Sequence, residues 1–131
     1  HRVSATDAAI ELIGELRIQH GPLLFHQSGG CCDGSAPMCY PAGEFRVGSH
    51  DVLLGVIEGC PVYISGPQFE HWQHTHLILD VVPGRGSSFS LEAPEGVRFL
   101  TRSRMLTDDE RSVLARMGPP PRGPKAMEHL Q

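Results

Sequence analysis

Between residues 23 and 101, glycine and proline turns divide the sequence into short apolar runs, and helix-like segments lie only before and after them. Short runs bounded by turn residues are typical of β-strands. The predicted strands are residues 23–27, 52–57, 60–65, 74–82, 88–92 and 97–101. This pattern predicts an α+β fold, in which short antiparallel or mixed strands form a β-rich core flanked by N- and C-terminal helices.

Two segments carry helical signals. Residues 5–19 place their apolar side chains on one broad face, and Ser4 is the expected N-cap of that helix. Thr107 and Glu110 have the spacing of a capping box, in which each side chain bonds the other residue's backbone amide. They predict a second helix over residues 108–117.

The connections differ in length. Glu58-Gly59 is predicted as the turn of a β-hairpin. Residues 29–48 are predicted as one long loop and residues 68–71 as a short connection. Residues 1–117 are expected to form a single α+β domain, and residues 118–131, which are rich in proline, a flexible tail.

The overall charge and the absence of long apolar runs exclude several functional classes. The formal charge of −4 and the pI of about 6.0 argue against nucleic-acid binding, which usually requires a basic face. No window approaches the ~20 apolar residues of a membrane helix, and we find no signal-peptide pattern. We therefore expect a cytoplasmic protein that binds neither nucleic acid nor membrane.

A loop rich in glycine and cysteine is the strongest candidate for a functional site. Gly29, Gly30, Cys31 and Cys32 are consecutive, and Cys39 follows closely. Glycine allows close approach of the backbone to a ligand, and thiolates bind zinc, iron and iron–sulfur clusters. Adjacent cysteines rarely bind one tetrahedral ion together, so Cys31 or Cys32 with Cys39 is the expected pair. The alternative is that these cysteines are inert and partly buried.

Three histidines could complete a metal site. His74 and His76 are two residues apart in a predicted strand, so both should project from the same face. His26 precedes the glycine–cysteine loop. A mixed site of Cys31, Cys39, His26 and either His74 or His76 would suit zinc or iron. The alternative is that the histidines are surface residues on a half-exposed strand. Cys60, at the start of another strand, is expected in the core.

The span from about residue 21 to residue 104 resembles an uncharacterised bacterial family of small proteins. The matching segments are residues 20–23, 25–34, 37–40, 80–86 and 99–104. Members of that family are often encoded beside an aldehyde dehydrogenase. The resemblance therefore implies an accessory role in aldehyde or alcohol metabolism, with an aldehyde dehydrogenase as a partner.

The order of elements is also similar to that of the HesB-like fold of A-type iron–sulfur carriers. The matching features are Gly29-Gly30-Cys31, the hairpin 51–65, Gly84-Arg85-Gly86, Phe89 and Pro94. The resemblance implies that Cys31 is a cluster ligand. The carriers complete their site with a C-terminal Cys-Gly-Cys, whereas here no cysteine follows Cys60.

Three functions follow from these patterns. The first is a non-enzymatic metal-binding protein, with zinc, iron or an iron–sulfur cluster as cofactor. The second is a thiol-based redox protein or enzyme that uses Cys31 and Cys32. The third is a metal-free module that binds a protein partner. Because strand-rich small domains can pair through sheet edges, a homodimer is also expected.

Overall fold

The computed structural model describes residues 2–27, 36–84 and 90–129, and these confirm the predicted α+β class. Their strands are β1 Val3–Ala5, β2 Leu23–Gln27, β3 Met38–Pro41, β4 Val52–Ile57, β5 Cys60–Ile64, β6 Thr75–Pro83 and β7 Val97–Met105. Their α-helices are α1 Asp7–His20, α2 Gly66–Trp72 and α3 Asp108–Met117, and Ala93–Glu95 and Ala126–His129 are 3₁₀ helices.

The strands form two mixed sheets. The first sheet has the order β1-β6-β7, with β1 parallel to β6 and β7 antiparallel to it. The second sheet has the order β3-β2-β5-β4, with β2 and β5 parallel and the other pairs antiparallel. Because β2 and β5 are parallel and β1 pairs with β6, each sheet joins segments that are distant in the sequence.

The main core lies between the two sheets and is closed by α1. Phe25 of β2 meets Phe99 of β7 edge to face, with ring centroids 5.0 Å apart. Leu12, Ile13 and Leu16 of α1 belong to the same buried cluster. Edge-to-face packing of fully buried aromatic rings stabilises a core beyond the effect of area alone, so this contact joins the two sheets at their centre.

The second sheet is covered on its other face as well. Leu24, Leu53 and Tyr63 form a smaller buried cluster with Ala126, which comes from the C-terminal segment. In that segment, the Pro121 carbonyl accepts a hydrogen bond of 2.9 Å from the Leu53 amide. The division of the chain at residue 117 stays a prediction, but residues 121–126 lie against the second sheet.

The two predicted longer helices are present, with one difference at the first. The N-cap of α1 is Thr6, whose hydroxyl accepts a hydrogen bond of 3.2 Å from the Ala9 amide. Ser4 lies instead in β1, which forms only because β6 offers it a pairing edge. At α3, the predicted capping box of Thr107 and Glu110 is confirmed. No helix within the described ranges is both long and apolar enough to span a membrane.

The predicted hairpin is confirmed. Strands β4 and β5 pair in antiparallel register, and the turn lies at Glu58-Gly59. Their φ angles are 51° and 77°. Two central residues with positive φ are what a tight hairpin turn requires, because that turn matches the twist of the strands.

Two segments predicted as loop or connection are regular elements. Residues 38–41 of the predicted long loop form β3, which pairs with β2 although it ends in proline. Residues 68–71 lie within α2, which turns Phe69 and Trp72 into the core. Both elements are short, and their stability comes from pairing and burial rather than from a local pattern.

The predicted bounds of β6 and β7 and the predicted strand 88–92 differ from the structure. Strand β6 begins at Thr75, so His74 lies just before it. Ser90, Leu91 and Glu92 were predicted in a strand but form a bend and turn, while the rest of that segment lies outside the described residues. Strand β7 continues to Met105, four residues beyond the predicted end, because β6 pairs with it along its whole length.

Replacing Phe25 with Ala should lower the free energy of unfolding by about 3–5 kcal/mol, because it leaves a cavity between the sheets. Ile18→Ala is the matched control, since Ile18 is 88% exposed on α1. Its effect should stay within about 0.5 kcal/mol. Urea unfolding of both variants measures this; equal losses would contradict the central place of the Phe25–Phe99 contact.

Candidate functional site

The segment with Gly29, Gly30, Cys31 and Cys32 lies outside the residues that the structure describes. Gln27, the last residue of β2, comes directly before it in the sequence. The Gln27 amide oxygen accepts a hydrogen bond of 3.0 Å from the Thr101 hydroxyl of β7, and both residues are buried. The residue that leads into the glycine–cysteine segment is therefore tied to the opposite sheet.

Cys39 is a buried core residue. It is fully buried, and its Cα partner on β2 is Phe25, which faces the main core. Burial raises the pKa of the Cys39 thiol far above its ordinary value, and the neighbouring Glu92 carboxylate and the Cys60 thiol, which would repel a thiolate, raise it further. A thiol that is neutral and shielded from solvent is neither a good nucleophile nor a ready metal ligand.

Cys60 is confirmed as a core residue. It is 1% exposed and belongs to the same cluster as Cys39. Burial is also the main cause that raises the pKa of the Cys60 thiol, although a backbone hydrogen bond at Leu23 and the charge of Arg17 oppose it. Both cysteines that the structure describes therefore act as small apolar side chains.

A buried carboxylate next to Cys39 was not predicted. Glu92 is 2% exposed and accepts hydrogen bonds from the Ser90 hydroxyl and, at 3.0 Å, from the Phe99 amide. The Ser90 oxygen in turn accepts from the Cys39 amide at 2.8 Å. Through these hydrogen bonds, the edge of β3 that does not pair with β2 is connected to β7. A single acidic residue beside a turn gives no sequence signal for such burial.

His26 lies on the opposite face of the second sheet from Cys39. It is buried, and its Nε2 lies 2.9 Å from Asp51 Oδ1. The ring also lies against Phe45, with centroids 4.7 Å apart. Because neighbouring residues of a strand point to opposite faces, His26 and Phe25 diverge, and Cys39 follows Phe25. His26 and Cys39 are therefore not brought together.

The other two histidines lie on or beside the first sheet. His76 is buried, and its Nε2 lies 2.8 Å from the hydroxyl of Ser4 in β1. His74 is exposed and sits outside β6, so the alternation argument that paired it with His76 does not apply. Among the described residues, no group of three or more His, Cys, Asp or Glu side chains is close enough to hold a metal ion.

A family model described as a domain of unknown function, DUF779, matches residues 12–105, which is more than half of the chain. The chain belongs to the DUF779 family. The matched region begins within α1 and ends with β7, so it includes the second sheet, strands β6 and β7 of the first sheet and the glycine–cysteine segment, while β1 lies outside it. No curated protein matches the chain.

In the folded DUF779 protein, Cys39 and Cys60 should not react with a thiol reagent such as DTNB, because both are buried and protonated. At most two of the four thiols should react rapidly. The double variant Cys31→Ser/Cys32→Ser should show no rapid phase, whereas Cys60→Ala should keep the wild-type amplitude. All four thiols should react after unfolding in guanidinium. Rapid reaction of the double variant would contradict the burial of Cys39 and Cys60.

Acidification should destabilise the protein through His76. Burial lowers the pKa of His76 below its ordinary value of 6.5, Arg104 lowers it further, and Glu110 opposes both. The folded state therefore disfavours the protonated ring. This contribution to stability is fully present above pH 6.5 and is lost as the pH falls from there through the lower pKa of the folded state.

The variant His76→Gln should lose less thermal stability between pH 8 and pH 5 than the wild type does, since glutamine can bond Ser4 without titrating. His20→Gln, which changes an exposed histidine at the end of α1, is the control and should keep the wild-type slope. Asp80 does not interfere in this range, because its pKa is lowered from 3.8 by the hydrogen bond from Arg102. Equal slopes for all three proteins would contradict this role of His76.

Proposed function

We propose that this DUF779 protein is a small cytoplasmic metal-binding accessory protein whose thiolate ligand is Cys31 or Cys32. One observation carries the proposal: of the four cysteines, Cys39 and Cys60 are accounted for by burial in the core. The two that remain are adjacent and preceded by Gly29-Gly30, where backbone amides can stabilise thiolate charge. Zinc and iron are the metals that such thiolates bind.

The remaining ligands follow from the chemistry of a tetrahedral ion. Because adjacent cysteines rarely bind one tetrahedral ion together, each chain supplies one thiolate, whereas a structural zinc or iron site needs four ligands. A second copy of the chain could supply a second thiolate, which agrees with the expected homodimer. An iron–sulfur cluster, as the HesB-like resemblance implies for Cys31, would likewise need cysteines from another chain, since none follows Cys60.

The accessory role rests on the resemblance to a family whose members are often encoded beside an aldehyde dehydrogenase. Such a role would be to deliver or store a metal ion or a thiol equivalent for a partner protein. We propose an aldehyde dehydrogenase as that partner. Co-purification of the two proteins at micromolar concentration supports this part of the proposal, and its failure contradicts it.

A second function is favoured by the adjacency of Cys31 and Cys32. With Cys39 and Cys60 enclosed in the core, the only pairing partner for either loop cysteine within one chain is the other. In this redox function, the two thiols would pass two electrons and two protons to a disulfide acceptor and form a disulfide between neighbouring residues. A lowered pKa of one loop thiol is expected for this function but not for inert cysteines.

The deciding experiment is elemental analysis of untagged protein purified without oxygen or chelators. We expect about one zinc or iron per chain, or one per two chains for an ion shared by a homodimer. One of the two single variants, Cys31→Ser or Cys32→Ser, should lose the metal, while Cys39→Ala and Cys60→Ala should keep it. Metal that survives the Cys31→Ser/Cys32→Ser double variant would contradict the ligand assignment. Metal-free protein with one low-pKa thiol would favour the redox function.

A further inference from the structure

A cleft at one end of the first sheet combines positive charge with an apolar floor. It has a volume of about 450 Å³ and lies between α2, α3 and the chain that enters β1. Its lining includes Arg2, Phe69, His74, Leu106, Arg111 and Leu114. Volumes of ~300–1,000 Å³ are usual for sites that bind small molecules. None of these residues belongs to the cysteine site proposed above.

Arg2 is held in the cleft without an acidic partner. Its guanidinium carbon lies 5.2 Å from the centroid of the Phe69 ring, and one of its nitrogens donates a long hydrogen bond of 3.4 Å to the Gln73 carbonyl. Burial lowers the pKa of Arg2, which indicates a cation that has lost water without gaining a counter-charge. In the described part of the chain, no carboxylate forms an ion pair with Arg2.

A second arginine faces the same cleft. Arg111 projects from the first turns of α3, and it too lacks an ion pair with any carboxylate of the described ranges. The nearby acid Glu110 is already occupied, since its two carboxylate oxygens accept bonds of 2.7 and 2.8 Å from Arg104. The cleft is therefore locally basic although the whole chain has a formal charge of −4.

The floor of the cleft is apolar. Phe69 and Leu106 are buried beneath it, and Leu114 of α3 is half-buried at its wall. Helix α3 has no fully buried residue, so it covers this region incompletely. An apolar group placed there would remove further surface of Leu114 from water, which is favourable.

From this combination we propose that the cleft binds a small amphipathic organic anion, with a carboxylate at Arg2 and Arg111 and an alkyl or aryl group on the Phe69–Leu106 floor. The planar guanidinium of arginine matches the two oxygens of a carboxylate. The apolar body distinguishes this ligand from inorganic anions, which would gain nothing from Leu114. The inference is independent of any metal at Cys31 and Cys32.

Sodium octanoate is the probe for the experiment, and titration calorimetry with amide NMR is the measurement. We expect saturable binding, with shifts confined to α3 and to residues near Phe69 and Leu106. Arg2→Gln and Arg111→Gln should each weaken binding by about tenfold, as loss of a charge-assisted hydrogen bond does. Arg116→Gln is the matched control, because Arg116 lies on the same helix but does not line the cleft.

Two further comparisons test the ligand class. Leu114→Ala should weaken octanoate binding while circular dichroism shows that α3 is intact. 1-Octanol and inorganic phosphate should each bind much more weakly than octanoate. Absence of saturable binding, equal binding to the arginine variants, or equal binding of phosphate would each overturn the proposal.

Discussion

Strand β2 is buried on both of its faces, and the positions of the candidate ligands depend on this constraint. All five of its residues are buried, because the first sheet and α1 cover one face while the segment 42–50 and the C-terminal segment cover the other. A central strand of this kind separates its side chains into two enclosed environments. Phe25 and Cys39 share one environment, and His26 and Asp51 share the other.

The burial of β2 on both faces also explains why the polar side chains near it are hydrogen-bonded. A buried polar group costs free energy unless it has a hydrogen-bond partner. Gln27 is paired with Thr101, His26 with Asp51, and Glu92 with Ser90 and the Phe99 amide. The Gln27–Thr101 bond joins β2 of the second sheet to β7 of the first, so it helps to fix how the two sheets face each other. The proposed thiol site belongs to the sequence segment that follows Gln27 and includes Cys31 and Cys32.

The two proposed sites use different parts of the fold. The thiol site belongs to the segment after β2, within the region that the family model matches. The basic cleft depends on α3 and the chain that enters β1, both of which lie outside that region. The two arginines of the cleft, Arg2 and Arg111, therefore lie outside the matched region, whereas Phe69 lies inside it.

Local patterns in the sequence determined the two longer helices, the hairpin and the α+β class. Thr107 and Glu110 cap α3 through contacts three residues apart, and Glu58-Gly59 forms a turn whose geometry depends on its own φ angles. The sequence also indicated correctly that Cys60 is a core residue. Such features are local or depend on apolar character alone, so they need no knowledge of distant segments.

Only the tertiary structure decided which candidate residues meet. Strand β1 forms because it pairs with β6, and strand β3 forms because it pairs with β2. Strands of three or four residues are too short for a local sequence pattern to predict them. The sequence could not show that His26 and Cys39 point to opposite faces, since that depends on a register set by long-range pairing. Arg2 and Arg111 line one cleft although they are 109 positions apart in the sequence. Backbone pairing and the burial of apolar surface bring such distant side chains together, and sequence proximity does not.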